Sequence, residues 1–212
     1  MQGNHEQINS LNSGLIYTTE RYEAIVSVEH YLDKYVDVDT FLQACKACPN
    51  YEKIWSCPTY DFDVIEYWKK YKTLELTAIK IIFDEAVAGK KLTKEEQEEI
   101  TKNSIWEVKA QLAEELYERE KAVPGSISLS AGSCTLCKGS GTYSAGSSSF
   151  EGFCSRLKGE PCRYPDKMRY SIESLGGNVG TTLSELMEIE LEWIQEGRMP
   201  SYFVLVSGLL RQ

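Results

Sequence analysis

Histidine is almost missing from this chain: there are two in 212 residues, His5 near the start and His30 on or just after the first patterned segment. That scarcity excludes a credible Ser/His/Asp constellation and the Cys/His patterns of zinc fingers, because neither imidazole is placed to complete one. Basic charge is also short, 23 Lys and Arg against 32 Asp and Glu, for a net charge of -9. With no local basic patch to offset it, a phosphate backbone would be repelled, so nucleic-acid binding is not expected. Long apolar runs are absent as well. Ile79–Phe83 and Tyr202–Val206 are far too short for a membrane span, and the polar start Met1-Gln-Gly-Asn-His-Glu lacks a signal-peptide pattern. The expectation is a soluble, cytoplasmic protein with no membrane partner.

What the chain does have is cysteine. Seven fall in two groups, Cys45-x2-Cys48-x8-Cys57 and Cys134-x2-Cys137-x16-Cys154-x7-Cys162. In a reducing compartment such clustering is more easily explained by metal than by disulfides, and an odd count cannot pair completely within one chain. A Cys-x2-Cys knuckle lets two thiolates from one turn reach the same ion or cluster. The second group supplies four thiolates, the set that closes a four-iron cluster (4Fe-4S). The first supplies three, which suits a cluster with one open iron, a fourth non-cysteine ligand, or a zinc ion completed by water, His or carboxylate. Proline follows Cys48 and Cys57 and precedes Cys162. Cys-Pro is frequent at cluster-bearing loops, and the long x8, x16 and x7 gaps fit a zinc ribbon poorly, so iron–sulfur is favoured and zinc stays the alternative. Cys154 stands beyond a long Gly/Ser-rich stretch and reads either as a ligand or as a buried small hydrophobe.

Patterning places these groups in an α+β frame. Residues 1 to about 20 are polar and read as a flexible N-terminal arm, leaving 21–212 as a single cysteine-rich domain. Tyr22, Ala24, Val26 and Val28 alternate as a first strand. Asp37–Ala44 reads as a short capped helix that delivers Cys45 at its C-terminal end. Leu74–Phe83 reads as a buried strand, Thr93–Glu96 as a capping box opening a long helix to about Lys121, and Ser126–Ala131 as a strand running into Cys134. Residues 138–150 read as a Gly/Ser-rich insertion in the second cysteine group; they lack the ending of a phosphate-binding loop. A helix over Thr182–Glu196 and a last strand over Tyr202–Leu210 complete a mixed or antiparallel sheet of about four strands, with helices packed on one face and two cysteine-bearing loops.

Two further features bear on the cysteines. Arg156, Arg163, Lys167 and Arg169 gather around the last of them, as counter-charge to thiolates or as ordinary surface charge. Trp55, Tyr60, Trp68 and their aromatic neighbours either shield a metal centre or simply build core.

Cys45-x2-Cys48 with Trp55-Ser-Cys57-Pro58, followed by Gly159-Glu-Pro-Cys162-Arg-Tyr-Pro165 and Ser171-Ile-Glu-Ser-Leu-Gly176, resembles a bacterial and archaeal family of unknown function described as cysteine-rich, predicted metal-binding proteins. The resemblance covers most of the chain. It implies cysteine-bound metal on Cys45, Cys48, Cys57, Cys134, Cys137, Cys154 and Cys162, and it implies no particular reaction. In that family the second group is usually compact, resembling C-x2-C-x2-C-x7-C; here the middle gap is expanded while the final x7 is retained, which marks Cys154 as the displaced third member. Asn50-Tyr51-Glu52 stands where a tyrosine followed by glycine is expected. The function expected is a metal or iron–sulfur protein in electron transfer, redox sensing or service to an anaerobic enzyme, with a redox protein as partner. The alternatives are an enzyme with an open site on three cysteines, or a zinc-stabilised interaction module.

Overall fold

The computed structural model describes residues 6–8, 16–137 and 154–212. The insertion read at 138–150, and residues 1–5 and 9–15 of the arm, lie outside the described residues. In chain order the elements are β1 (Glu6–Ile8), β2 (Tyr17–Ser27), α1 (Val28–Tyr35), α2 (Val38–Ala47), α3 (Val64–Trp68), β3 (Thr73–Phe83), α4 (Lys94–Thr101), α5 (Glu107–Ala122), β4 (Ile127–Leu129), α6 (Val179–Met187) and β5 (Tyr202–Arg211). The fold is α+β. Its sheet runs β1-β2-β3-β5-β4, with every neighbouring pair antiparallel.

β3 is central, and its alternation divides the core. Leu74, Leu76 and Ala78 point to one face, where they pack with Tyr31, Tyr35, Trp68, Leu175 and Leu183. Ile79, Ile81 and Phe83 point to the other, where they meet Val108, Leu112 and Leu116 of α5. The register carries this division across the sheet: Ala24↔Leu76↔Gly208 and Tyr22↔Ala78↔Val206 line the first face. Helices therefore cover both faces, not the single face the pattern of elements suggested. A central strand apolar on both sides cannot leave either one to water.

Three other boundaries differ from expectation. β2 begins at Tyr17, earlier than the alternation from Tyr22 marks, and ends at Ser27, whose Oγ caps α1 by accepting from the His30 N–H (3.2 Å). The helix expected over 182–196 stops at Met187, because Glu188 adopts a left-handed conformation (φ 57°) and closes it as a cap. The long helix does run from Thr93, with both bonds of the capping box formed, but it passes through a π-helical turn at Lys102–Trp106. Ile100 and Ile105 both pack against the second face although five residues apart. An α-helix would separate them by roughly 140°, and the wider turn brings them back to one side.

Two contacts set the frame for the cysteine segments. At the start of α2, Gly176 (φ +80°) lies so close that a Cβ there would sit 2.8 Å from the Val38 Cα, and its carbonyl accepts from the Asp37 N–H (2.9 Å). At the end of α5, Glu120 holds the Arg169 guanidinium in a two-pronged pair and accepts both the N–H and the hydroxyl of Ser128 at 2.7 Å. Both partners of that pair are 13% exposed. Burial alone would raise the Glu120 carboxyl; Arg169 and Ser128 outweigh it and hold the group below the usual carboxylate range.

Gly176→Ala is expected to cost about 2–4 kcal/mol, from a side chain forced into the left-handed region and against backbone; denaturant unfolding would read it, and a cost under 1 kcal/mol would contradict the close approach. Because Glu120 has a lowered folded-state pKa, its stabilisation is complete above the ordinary carboxylate pKa and is lost as pH falls through the folded value. Glu120→Gln should thus destabilise by about 1–3 kcal/mol at neutral pH, with the gap to the native protein closing in acid. A gap that stays constant with pH would show that the charge is not what matters.

Candidate metal centre

α2 forms because Asp37 caps it, its Oδ1 accepting from the Thr40 N–H at 2.9 Å, and it ends at Cys48, whose N–H bonds back to the Cys45 carbonyl at 2.9 Å. Cys45 is thereby in the last helical turn and Cys48 at the cap, as the sequence implied. The chain then turns through Tyr51, whose N–H reaches the Cys48 carbonyl (3.1 Å), and returns past buried Ile54 and Ser56 to Cys57. The second group begins after β4 with Cys134 and Cys137 and resumes at Cys154, which leads into a 3₁₀ turn at Ser155–Lys158. The Ser155 hydroxyl donates to the Pro161 carbonyl (2.7 Å), folding the chain back so that Cys162 lies near the start of that turn.

The seven cysteines are all thiols without a disulfide. Cys137 and Cys154 are buried, Cys48 is exposed, and the other four are in between. Within each group the thiols lie close enough to feel one another's charge. The charges of Cys45 and Cys48 bear on Cys57, and the charges of Cys137, Cys154 and Cys162 bear on Cys134. Cys154 is therefore gathered with the second group despite the long gap before it.

Burial, helped by the neighbouring sulfurs, pushes the thiols of Cys45, Cys134 and Cys137 above their ordinary value. It pushes Cys57 up to about 12, with a hydrogen bond from Ser56 and the charge of Arg156 pulling the other way. A bound cation reverses this situation, since it neutralises clustered thiolates and deprotonates the thiols it coordinates. The donor set fits a soft metal or an iron–sulfur cluster: Cys45, Cys48 and Cys57 would hold one, and Cys134, Cys137, Cys154 and Cys162 another. Among the described residues no three His, Cys, Asp or Glu side chains converge closely enough to hold an ion as they stand. The groups are gathered without being drawn shut.

The two groups form one continuous region. Arg156, two residues past Cys154, donates to the carbonyls of Ile54 (3.0 Å), Cys57 (2.5 Å) and Thr59 (2.9 Å), and its guanidinium lies over the Trp55 ring at 5.2 Å. Buried Ser56 accepts from the Cys134 N–H at 2.9 Å, Asn50 donates to Ser133, and the Trp55 indole donates to the Glu160 carbonyl at 3.2 Å. Lys109 of α5 donates to the Ser133 carbonyl (2.6 Å) and is close enough to Cys134, Cys57 and Glu173 for each to stabilise its charge, although burial, the larger effect, lowers its pKa.

The basic residues around the last cysteines prove to be fasteners. Arg156 pins the first loop, Arg163 donates to the Cys137 thiol, and Arg169 belongs to Glu120. The aromatics divide. Trp68 is core, its ring tilted against Tyr31 (centroids 5.5 Å apart) and its indole N–H on the Leu175 carbonyl. Tyr60 and Phe62 instead line a cavity of about 170 Å³ together with Cys45, Thr59, Glu173 and Ser174. His30, in α1, rests edge-on against Tyr35. Sequence reasoning missed Ser56, Lys109 and Glu173. Lys109 had a signal, a charged residue one step from Val108 on the apolar stripe that continues to Leu112; Glu173 had a weaker one, a lone acid between apolar Ile172 and Leu175.

Against known proteins, the family model described as "Predicted metal-binding protein (DUF2284)" matches residues 32–210. No curated protein and no solved structure matches the chain. No helix among the described residues is long and apolar enough to cross a membrane.

In the reduced, metal-free chain Cys48 should be alkylated first among the first group. Cys57 should follow more than ~10-fold more slowly, since each unit of pKa removes about nine-tenths of the reactive thiolate. Limited iodoacetamide treatment near neutral pH with peptide mass spectrometry would read the order; equal rates would mean that the Cys57 pocket is open to water.

Proposed function

The chain belongs to that family of predicted metal-binding proteins, and on this premise we propose that it carries iron–sulfur clusters on its two thiol groups and works in electron transfer, redox sensing or as an accessory to an anaerobic enzyme. The observation that carries the reading is the division of seven thiols, none in a disulfide, into a set of four that includes both buried cysteines, Cys137 and Cys154, and a set of three that includes the exposed Cys48. Four thiolates satisfy all the irons of a 4Fe-4S cluster, and three leave one position to another ligand. A cluster supplies one-electron storage at a potential set by its charge, the hydrogen bonds to its sulfurs and its exposure. The chain's own part would be to tune it: Arg163 at Cys137 and Ser56 at Cys57 donate to sulfur, and Cys137 and Cys154 are buried from water. Seven thiols with no disulfide suit a reducing compartment, the cytoplasm, and exposed Cys48 offers an approach for a redox protein partner.

A second reading has one specific support. The cavity lined by Cys45, Thr59, Glu173 and Ser174 has room for a small molecule beside the three-thiol group, as an enzyme with an open site requires.

Iron, zinc and acid-labile sulfide, together with the visible spectrum, decide the matter on protein purified without oxygen. Iron with matching sulfide is expected, and Cys154→Ser should lower iron as much as Cys134→Ser does. Stoichiometric zinc alone, after attempted cluster reconstitution fails, would sink the redox reading and leave a zinc-stabilised module.

A further inference from the structure

The 3₁₀ turn Glu173–Leu175 packs against α2, and between them lies the cavity that Cys45 and Glu173 share. Glu173 as a residue is half-buried, yet its Oε2 is closed to solvent and has no hydrogen-bond partner. A carboxylate oxygen shut away and unsatisfied is costly, and native structures seldom leave one without cause. Nearby groups meet only part of that cost: the Ser171 hydroxyl and the charge of Lys109 favour the carboxylate but are outweighed by burial, and neither bonds to Oε2, the Lys109 ammonium donating to the Ser133 carbonyl at 2.6 Å. What the oxygen does have beside it is sulfur. Cys45 lines the same small cavity and feels the charge of Glu173 directly. The cavity is open on one side and otherwise lined by Tyr60, Phe62, Val38 and Leu42, none of which offers a cation.

We infer that Glu173 is the fourth ligand of the first group, its unsatisfied oxygen completing the set that Cys45, Cys48 and Cys57 begin. This rests on the proposed function, since it needs those three thiols to hold metal. It also specifies that reading. The second group is all sulfur and closed, whereas the first is three sulfurs and one oxygen, and the oxygen faces a cavity. A carboxylate is a harder and more weakly held donor to a soft metal than a thiolate, so it is the ligand a small molecule in the cavity would displace. The Ser171–Gly176 turn then serves the metal site as well as the core that its Ile172 and Leu175 pack into, and Gly176, by letting α2 come close, sets the gap between carboxylate and thiols.

The test titrates cobalt(II) alone into reduced, metal-free full chain and follows thiolate-to-cobalt absorption in the native protein, Glu173→Gln, Glu173→Cys and Cys45→Ser. The phase lost in Cys45→Ser identifies the first group. In that phase Glu173→Gln should bind cobalt about 10-fold or more weakly, and Glu173→Cys should restore binding with the added absorption of one more thiolate. Metal-free Glu173→Gln should unfold at about the same denaturant concentration as the native chain, because it keeps the shape of the side chain and removes a charge that burial disfavours more than Lys109 and Ser171 favour it. Cobalt titrations of both Glu173 variants that match the native protein, while Cys45→Ser loses its phase, would overturn the assignment and leave the metal reading standing. If Cys45→Ser also changes nothing, the first group binds no metal and the proposed function fails there too.

Discussion

One guanidinium holds the two cysteine segments together. The loop between α2 and α3 has no strand or helix from Tyr51 to Asp63, and the segment from Cys154 to Tyr170 has only a single 3₁₀ turn. Irregular backbone of this kind leaves carbonyls that no ladder satisfies. Arg156 takes three of them, from Ile54, Cys57 and Thr59, which is as much as a planar five-donor fork can do from one position. Lysine could not replace it, because a point charge cannot address three acceptors with fixed geometry. The relative placement of the thiols depends on this contact, and Ser56, Asn50 and Trp55 add to it from the other side.

Electrostatically the region is built against itself. It collects thiols whose neighbours discourage one another's ionisation, and beside them a carboxyl group that burial pushes above its ordinary range. Lys109 and Arg163 supply some counter-charge, too little for seven sulfurs. A chain that keeps such a cluster does so because something positive joins it. The sheet behind it can bear the expense: β3, buried on both sides and flanked by β2 and β5, anchors two apolar layers, and the one beneath α5 lies on the face away from the cavity.

Most of this frame was legible in the sequence. β3, β5 and the long helix announce themselves by period, and Asp37 and Thr93 by their capping positions, because those signals are local. Helices on both faces were not legible: α1 follows β2 without a turn signal, and α3 is five residues of aromatic sequence that read equally well as loop. The end of α6 was hidden because Glu188 takes a conformation that glycine usually marks. The cysteine groups could be read from spacing alone, since a knuckle is a local device. The residues between the groups could not. Ser56, Lys109 and Glu173 come from three distant stretches, and only the tertiary fold puts them beside sulfur.

The fastening by Arg156 and Ser56 has a thermodynamic corollary. Ordering one cysteine segment fixes backbone that belongs to the other, so the entropy of closing the loop is spent by whichever group fills first. The second group to fill finds part of that cost already met, and reciprocity requires the advantage to be equal in both directions. If both sets of thiols take up metal, filling either one would ease the filling of the other without merging the two into a single step.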